Sequence, residues 1–256
     1  MDFKLSEKRA LVIGASRGLG AASAALLAEE GATVIAASRS GALPEGLSPG
    51  IVARITAVAL DLEDPQSVAA MKDRLVDKPV DILVNNCGGP KAGPARGQSA
   101  AAWQAAFAAM ATPVFELTDA ALAGMSDKGW GRVITIGSSG IEGPIPNLAL
   151  SNGVRGAMAG WSKTLAGEVA HKGITVNIVL PGRIATDRVA ELDAGKAAKS
   201  GESVEAVRDA SRKTIPAGRY GRPEEFAAIV AFLASEQASF INGSMIRADG
   251  GMIRSL

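Results

Sequence analysis

A glycine-rich segment near the N-terminus has the composition of a phosphate-binding loop. Three glycines occur in the run Gly14-Ala15-Ser16-Arg17-Gly18-Leu19-Gly20, between a predicted strand and a predicted helix. Glycine lets the backbone turn tightly and approach a phosphate, and the free N–H groups at a helix N-terminus attract the anion. Three glycines at this spacing can mark a simple turn, but the strand–loop–helix order favours phosphate binding.

Charged residues near this loop indicate which nucleotide would bind. The second predicted strand ends in Ala36-Ala37-Ser38-Arg39, without the carboxylate that holds a free ribose 2′-hydroxyl. Arg17, Ser38 and Arg39 instead offer two guanidiniums and a hydroxyl, and arginine pairs with phosphate through two hydrogen bonds. These residues predict NADP(H), with its 2′-phosphate, as the cofactor. A solvated loop residue is the alternative for Arg39.

The elements that would position these residues alternate regularly along the chain. Short, mostly continuous apolar runs predict strands buried on both faces, at Ala10–Ile13, Thr33–Ala37, Ile55–Leu60, Ile82–Asn85, Val133–Ile136, Thr175–Leu180 and Met245–Ala248. Alanine-rich helical patterns lie between them, at Leu19–Glu30, Gln66–Val76, Ala100–Ala123, Leu150–Ala170 and Glu224–Ser235. This alternation predicts a parallel sheet with helices on both faces. No repeat or linker interrupts it, so residues 1–256 are predicted to form a single Rossmann-type α/β domain.

One polar segment, residues 183–219, departs from this alternation because its helical periodicity is weak. Ligands of such folds bind beyond the carboxyl ends of the strands. A polar segment after the sixth strand therefore predicts a mobile lid over the site. A pair of solvated surface helices is the alternative.

Composition excludes several classes of function. Lys and Arg total 27 against 26 Asp and Glu, so a net charge of +1 gives no electrostatic case for nucleic acid or an anionic membrane. One cysteine and one histidine exclude an internal disulfide and argue against a metal site. The N-terminus has no leader pattern, and no uninterrupted apolar run reaches about 18 residues. The expectation is a cytoplasmic protein with no membrane or nucleic-acid partner.

Six motifs in order resemble the short-chain dehydrogenase/reductase family over essentially the whole chain, and 3-oxoacyl-ACP reductase-like members in particular. They are the GxxxGxG loop, Asp61-Leu62, Asn85-Asn86-Cys87-Gly88, Pro181–Thr186, Gly221–Glu225 and Asp249-Gly250-Gly251. The resemblance implies an oxidoreductase that acts on a small carbonyl substrate. It implies cofactor contacts from Gly14, Ser16, Arg17, Gly18, Leu19, Gly20, Ser38, Arg39, Asp61, Leu62, Asn86, Gly88, Arg155, Pro181, Gly182, Ile184 and Thr186.

The catalytic residues of that family are only partly present. Its reaction uses serine, tyrosine and lysine, with an asparagine that supports proton relay. Ser138 matches the serine, but Ser151 stands at the tyrosine position, Arg155 at the lysine position and Met110 at the asparagine position. The family-like segment Lys163–Glu168 fixes this alignment. Ser151 and Arg155 keep the i, i+4 spacing that places two side chains on one helix face.

This replacement changes the acid–base chemistry. A guanidinium does not serve as a proton donor in proteins, so Arg155 cannot replace the acid, and the Ser151 hydroxyl is a far weaker acid than a phenol. General acid catalysis is typically worth about 10²- to 10⁴-fold in rate. One hypothesis is therefore an NADP(H)-dependent reductase of a carbonyl substrate, either an activated dicarbonyl or quinone or a ketoacyl-like compound. A second is a catalytically silent NADP(H)-binding protein, and a third is a dehydration without net redox change.

Other reactive side chains have simpler interpretations. Tyr220, the only tyrosine, lies in a segment that flanks the site in the family without supplying an acid. Glu142 and Asp187 are near the expected mouth of the site, where loop carboxylates are usually solvated. His171 ends a helix, where a cation suits the helix dipole. Cys87 replaces a small residue beside the cofactor and is expected to pack there.

Two apolar stripes at helical spacing predict buried faces. They comprise Trp103, Phe107, Met110 and Val114, and Val154, Met158, Trp161 and Leu165. Burial against the sheet explains part of each stripe. The family resemblance implies that these helices also pair across a dimer axis and that the C-terminal region forms a tetramer. A homo-oligomer is therefore expected.

Overall fold

Seven parallel strands form the central sheet in a computed structural model, which describes residues 2 to 255. They pair in the order β3-β2-β1-β4-β5-β6-β7. Their bounds are β1 Arg9–Ile13, β2 Thr33–Ser38, β3 Ile55–Ala59, β4 Ile82–Asn85, β5 Gly131–Ile136, β6 Ile174–Pro181 and β7 Met245–Ala248. All seven strands expected from the sequence are present, with bounds that differ by at most two residues at each end. The predicted α/β fold of Rossmann type is confirmed.

The described residues form nine α-helices. These are α1 Gly18–Glu29, α2 Pro49–Val52, α3 Pro65–Asp77, α4 Ala100–Met110, α5 Thr112–Lys128, α6 Ala149–Val169, α7 Asp187–Ser200, α8 Val204–Lys213 and α9 Pro223–Ala234. The single helix expected over Ala100–Ala123 is two helices. Pro113 has no N–H to continue the hydrogen-bond series, so the first helix ends at Met110. The second ends at Gly129, whose φ of 64° is left-handed.

The polar segment 183–219 contains the helix pair α7 and α8, which agrees with the second interpretation of that segment. Side-chain hydroxyls cap both helices: Thr186 accepts from the Val189 N–H, and Ser203 accepts from the Ala206 N–H. Polar residues dominate both helices, so the sequence offers few apolar residues from which to predict them. Movement of this pair as a lid stays a prediction.

Burial on both faces explains why the strands are continuous apolar runs. Successive side chains of β1 alternate, with Val12 packing among α1 and α9 residues and Leu11 among α3 and α5 residues. Phe226 of α9 and Leu117 of α5 are fully buried on the two opposite faces. Helices therefore cover the sheet on both sides, and its carboxyl edge is the place left for a ligand.

The stretch formed by α4 and α5, residues 100–128, is long and apolar enough to cross a membrane by length and composition. Its most apolar 18-residue window has a mean hydropathy of 1.2, and half of that window is buried inside the protein. Core helices of soluble proteins meet the same criterion. Gln104 and Glu116 interrupt the apolar residues, and α5 contacts β4 and β5. These contacts agree with a core position for α5.

Candidate cofactor and substrate site

The candidate site lies at the carboxyl edge of the sheet, where β1 is paired with β2 on one side and β4 on the other. Chain connections leave this point in opposite directions, which opens a cleft between the strand ends. Apart from Ser151 and Arg155 of α6, the residues predicted from sequence lie at or directly after strand ends at this edge. They are the glycine loop after β1, Ser38 and Arg39 at β2, Asp61 and Leu62 after β3, Asn86 and Gly88 after β4, Ser138 after β5, and Pro181–Thr186 at β6.

The glycine loop requires its glycines for close backbone packing. A Cβ atom at Gly20 would lie 2.3 Å from the Gly14 carbonyl oxygen, and one at Gly14 would lie 2.6 Å from Asn86 Nδ2. Asn86 Nδ2 donates a hydrogen bond to that same carbonyl at 3.3 Å. α1 begins at Gly18, and its N-cap residue Arg17 makes no capping side-chain hydrogen bond. First-turn N–H groups are thus available, and the cradle fits the diphosphate of a dinucleotide.

The end of β2 carries hydroxyl and guanidinium groups. Ser38 is nearly buried, its Oγ lying 3.2 Å from Ser40 Oγ, and Arg39 is exposed. Arg17 does not join Arg39 here: its Nη1 donates to Glu191 Oε1 of α7 at 3.2 Å. After β3, the Asp61 carboxylate accepts the Glu63 N–H at 3.0 Å. The adjacent ends of β2 and β3 therefore bring Ser38, Arg39 and Asp61 to one part of the cleft, whereas Arg17 is directed toward α7.

Arg155 forms hydrogen bonds with the chain segments at the ends of two neighbouring strands, β4 and β5. Its Nη1 donates to the carbonyls of Ile136 and Gly137 at 3.2 and 3.3 Å. Its Nη2 donates to the carbonyls of Cys87 and Gly88, each at 3.4 Å. α6 carries Ser151 one turn before Arg155, and both side chains are partly buried. The guanidinium thus lies between the segments that follow β4 and β5, inside the candidate site.

Ser138 begins the turn that follows β5. Its Oγ accepts the Gly140 N–H at 3.0 Å, which leaves its own hydroxyl proton free to donate to another group. Asn152 of α6 fixes the next part of this loop, since its Nδ2 donates to the Ile145 carbonyl at 2.9 Å. Arg155 donates to the carbonyl of Gly137, the residue directly before Ser138, so Ser138 lies beside Arg155.

The single tyrosine belongs to a partly buried cluster at the rim of the site, called here the Asp193 cluster: Arg183, Asp193 and Tyr220. Tyr220 Oη donates to Asp193 Oδ2 at 2.9 Å, and Arg183 Nη1 donates to Asp193 Oδ1 at 2.6 Å. Asp193 is fully buried. The Tyr220 hydroxyl thus serves to anchor α7, which agrees with a non-catalytic Tyr220.

The remaining reactive side chains also have structural partners or lie elsewhere. Glu142 is ion-paired with Arg247. Cys87 and Met110 are buried in one apolar cluster with Val114. His171 is exposed just before β6, at the opposite edge of the sheet from the site. Between residues 2 and 255, no group of three or more His, Cys, Asp or Glu side chains has an arrangement that could hold a metal ion.

Sequence reasoning missed Glu191, Asp193 and Asn152 as parts of this site. Each contacts a residue that is distant in sequence or is held through a loop, and no local motif marks it. The pairing of Arg17 with Glu191 joins residues 174 positions apart. Only the packing of α7 across the cleft shows it.

We expect the Tyr220→Phe variant to lose about 1.5–3 kcal/mol of unfolding free energy, because it removes a hydrogen bond to a buried carboxylate. Urea unfolding measures this loss. The matched control is Ser200→Ala, whose hydroxyl contacts only the Ala197 carbonyl of its own helix, at 3.5 Å. The control should stay within about 0.5 kcal/mol of the wild type. A loss for Tyr220→Phe no larger than that of the control would contradict an anchoring role.

A second carboxylate near the site gives a prediction for the pH dependence of stability. Two hydrogen bonds from Arg219, at 2.8 and 2.7 Å, and one from the Arg222 N–H lower the pKa of Glu225 from 4.5 to about 2. A lowered folded-state pKa stabilises the fold above the ordinary pKa, and this contribution is lost as the pH falls toward the folded-state value. The stability difference between the wild type and Glu225→Gln should therefore be constant above about pH 4.5 and shrink between 4.5 and about 2. Urea unfolding across this range checks it; a difference that does not change with pH would be the contrary result.

Known proteins resemble this chain over nearly its whole length. Residues 14–253 match the family model described as Enoyl-(Acyl carrier protein) reductase. The chain is 37% identical to a 3-oxoacyl-[acyl-carrier-protein] reductase of Vibrio cholerae over 254 residues, covering 98% of this chain and 99% of the relative. The corresponding Escherichia coli reductase is 36% identical, with coverage of 96% and 97%.

Solved structures give the same match. The L-sorbose reductase of Gluconobacter frateurii, complexed with NADPH and L-sorbose, superposes with a TM-score of 0.89 at 28% identity over the full length of both chains. An NADPH-dependent reductase involved in bacilysin biosynthesis superposes with a TM-score of 0.88 at 27% identity, covering 98% of this chain and all of that one.

Proposed function

Since the chain belongs to the short-chain dehydrogenase/reductase family, we propose that it is an NADP(H)-dependent reductase of an activated carbonyl compound such as a dicarbonyl or a quinone. The observation that carries this proposal is the close-packed glycine cradle in front of α1, beside a β2 end that has guanidinium and hydroxyl groups and no carboxylate. The NADPH-bound L-sorbose reductase, which shares the whole fold, supports the same cofactor.

The chain's residues would hold the cofactor along the carboxyl edge of the sheet. The backbone of the glycine loop, residues 14–20, would hold the diphosphate. The Arg17, Ser38 and Arg39 side chains would hold the 2′-phosphate, and Asp61 and Leu62 the adenine. Asn86, Gly88, Pro181, Gly182, Ile184 and Thr186 would line the other half, with Arg155 near the ribose. When bound, the nicotinamide supplies the hydride for a carbonyl carbon. The protein's contribution is position, which can be worth about 7–11 kcal/mol of a reaction barrier.

Proton supply sets the substrate class in this proposal. The Ser138 and Ser151 hydroxyls would orient the substrate carbonyl, and Arg155 would supply a fixed positive charge. Neither serine is an acid of useful strength, and the guanidinium keeps its proton. Acceptors that take up hydride without strong acid assistance are therefore the proposed substrates.

The experiment that tests this proposal is a fluorescence titration with NADPH, followed by turnover assays with acceptors of graded reactivity from quinones to simple ketones. We expect binding, and NADPH oxidation with activated acceptors only. A Ser138→Ala variant should bind NADPH normally and oxidise it more slowly. Absence of NADPH binding would contradict the cofactor assignment, and rapid reduction of simple ketones would contradict the substrate class.

A second candidate function is NADP(H) binding without catalysis, as a sensor or structural partner. Arg155 favours it, because four backbone carbonyls already occupy its two terminal nitrogens. Binding of NADPH without oxidation under every acceptor would support this function.

We also propose that the protein is a homo-oligomer and that it is located in the cytoplasm. Phe240 is fully exposed, and Met245 of the edge strand β7 is 43% exposed, so an apolar surface lies beside the open edge of the sheet. Light scattering at micromolar concentration tests this proposal. A 26.0 kDa monomer would contradict it.

A further inference from the structure

We propose that Glu191 is a specificity-determining residue that competes with the cofactor's 2′-phosphate for Arg17. This inference rests on the proposed use of NADP(H). Arg17 belongs to the glycine loop, yet its guanidinium is directed across the cleft to α7 rather than toward Ser38 and Arg39. Glu191 thus holds the loop arginine in an orientation away from the adenosine side.

The carboxylate of Glu191 contacts two cations. Oε1 accepts from Arg17 Nη1 at 3.2 Å, and Oε2 lies 3.5 Å from Arg188 Nη1. The side chains of Arg17 and Glu191 are 61% and 50% exposed, so the pair lies at the solvent boundary. If Arg17 turns toward a phosphate, Glu191 keeps Arg188 as a partner. The two orientations of Arg17 therefore differ little in free energy.

α7 holds Glu191 at this position from two sides. At its N-terminus, Thr186 Cγ2 lies 3.6 Å from the place of a Cβ at Gly18, so the helix starts against the glycine loop. Further along the helix, Asp193 is anchored by Arg183 and Tyr220. Glu191 lies between these contacts. The backbone of α7 therefore keeps the Glu191 carboxylate within reach of Arg17 at the mouth of the phosphate site.

The competition acts only on nucleotides that carry the 2′-phosphate. A single guanidinium cannot make its best hydrogen bonds to a carboxylate on α7 and to a phosphate at β2 at once. Exposed ion pairs are worth a factor of about 1.4 to 5 in an equilibrium constant at room temperature. Removing the Glu191 charge should therefore tighten NADPH binding by up to about fivefold and leave NADH binding unchanged.

The test compares the wild type, Glu191→Gln and the control Glu202→Gln, which removes an exposed charge from the turn between α7 and α8. Dissociation constants for NADPH, NADH, 2′-AMP and 5′-AMP are measured by fluorescence or calorimetry. We expect Glu191→Gln to tighten NADPH and 2′-AMP two- to fivefold and to leave NADH and 5′-AMP unaltered. The gain should shrink at high salt, because exposed charges are screened. Glu202→Gln should change none of these constants.

A double-mutant cycle identifies Arg17 as the shared group. In an Arg17→Gln background, the Glu191→Gln substitution should no longer affect NADPH affinity. Equal effects of Glu191→Gln on NADPH and NADH, or an unchanged effect without Arg17, would overturn the inference while leaving the proposed function intact. A wild-type protein that binds NADPH no more tightly than NADH would overturn the proposed cofactor, and this inference with it.

Discussion

The double variant Ser151→Tyr/Arg155→Lys is expected to reduce simple ketones about 10²- to 10⁴-fold faster than the wild type. A phenol at position 151 would provide a proton donor whose pKa a neighbouring ammonium can lower, and the i, i+4 spacing on α6 already places both side chains on one helix face. Steady-state assays with a simple ketone and NADPH measure the gain.

The single variants are the controls for this gain. Ser151→Tyr alone would have the acid without the ammonium, and Arg155→Lys alone would have the ammonium without the acid. Each should recover far less activity than the double variant, because residues that act as a unit are not additive. A double variant no more active than the wild type, with NADPH affinity kept, would show that more than the acid–base pair is missing.

The Gly20→Ala variant is expected to bind NADPH about ten- to a hundredfold more weakly than the wild type. Its Cβ would lie 2.3 Å from the Gly14 carbonyl oxygen and 3.0 Å from Asn86 Nδ2, so the loop must move to accommodate it. Overpacking of this kind costs about 1–3 kcal/mol or more, and here the displaced backbone is the phosphate cradle itself. The NADPH titration measures the loss.

Gly156→Ala is the matched control, because a Cβ at that position of α6 meets no atom within 4 Å. This helical substitution should leave NADPH binding unchanged and stabilise the fold by about 0.4–1 kcal/mol. Circular dichroism establishes whether Gly20→Ala is folded. A folded Gly20→Ala protein with wild-type NADPH affinity would mean that the cradle does not bind the diphosphate.

Much of the fold was predictable because local sequence and burial agree. Parallel strands buried on both faces are continuous apolar runs, so β1 and β4 can be predicted from the sequence alone. The helices that cover them are amphipathic or alanine-rich, which the sequence also indicates. The break between α4 and α5 was missed although Pro113 marks it, because the apolar pattern continues through it. α7 and α8 were missed as definite elements because polar residues dominate them.

The candidate site was predictable in its list of residues and unpredictable in its contacts. The glycine loop, Ser138, Ser151 and Arg155 follow strand ends or share a helix face, so local spacing brings them to one edge. The orientation of Arg17 depends on Glu191, and the engagement of Tyr220 depends on Asp193. Such tertiary pairings join segments with no common motif, and only the packed chain determines them.

The hydrogen bonds of Arg155 bear on how this chain could evolve. A guanidinium can bond four carbonyls on two strand ends because its two terminal nitrogens point apart, whereas an ammonium has three donors on one atom. A lineage that acquired lysine at position 155 first would lose some of these bonds and gain no proton donor. Selection would therefore oppose that single step, and the order of substitution would favour a change at position 151 before one at position 155.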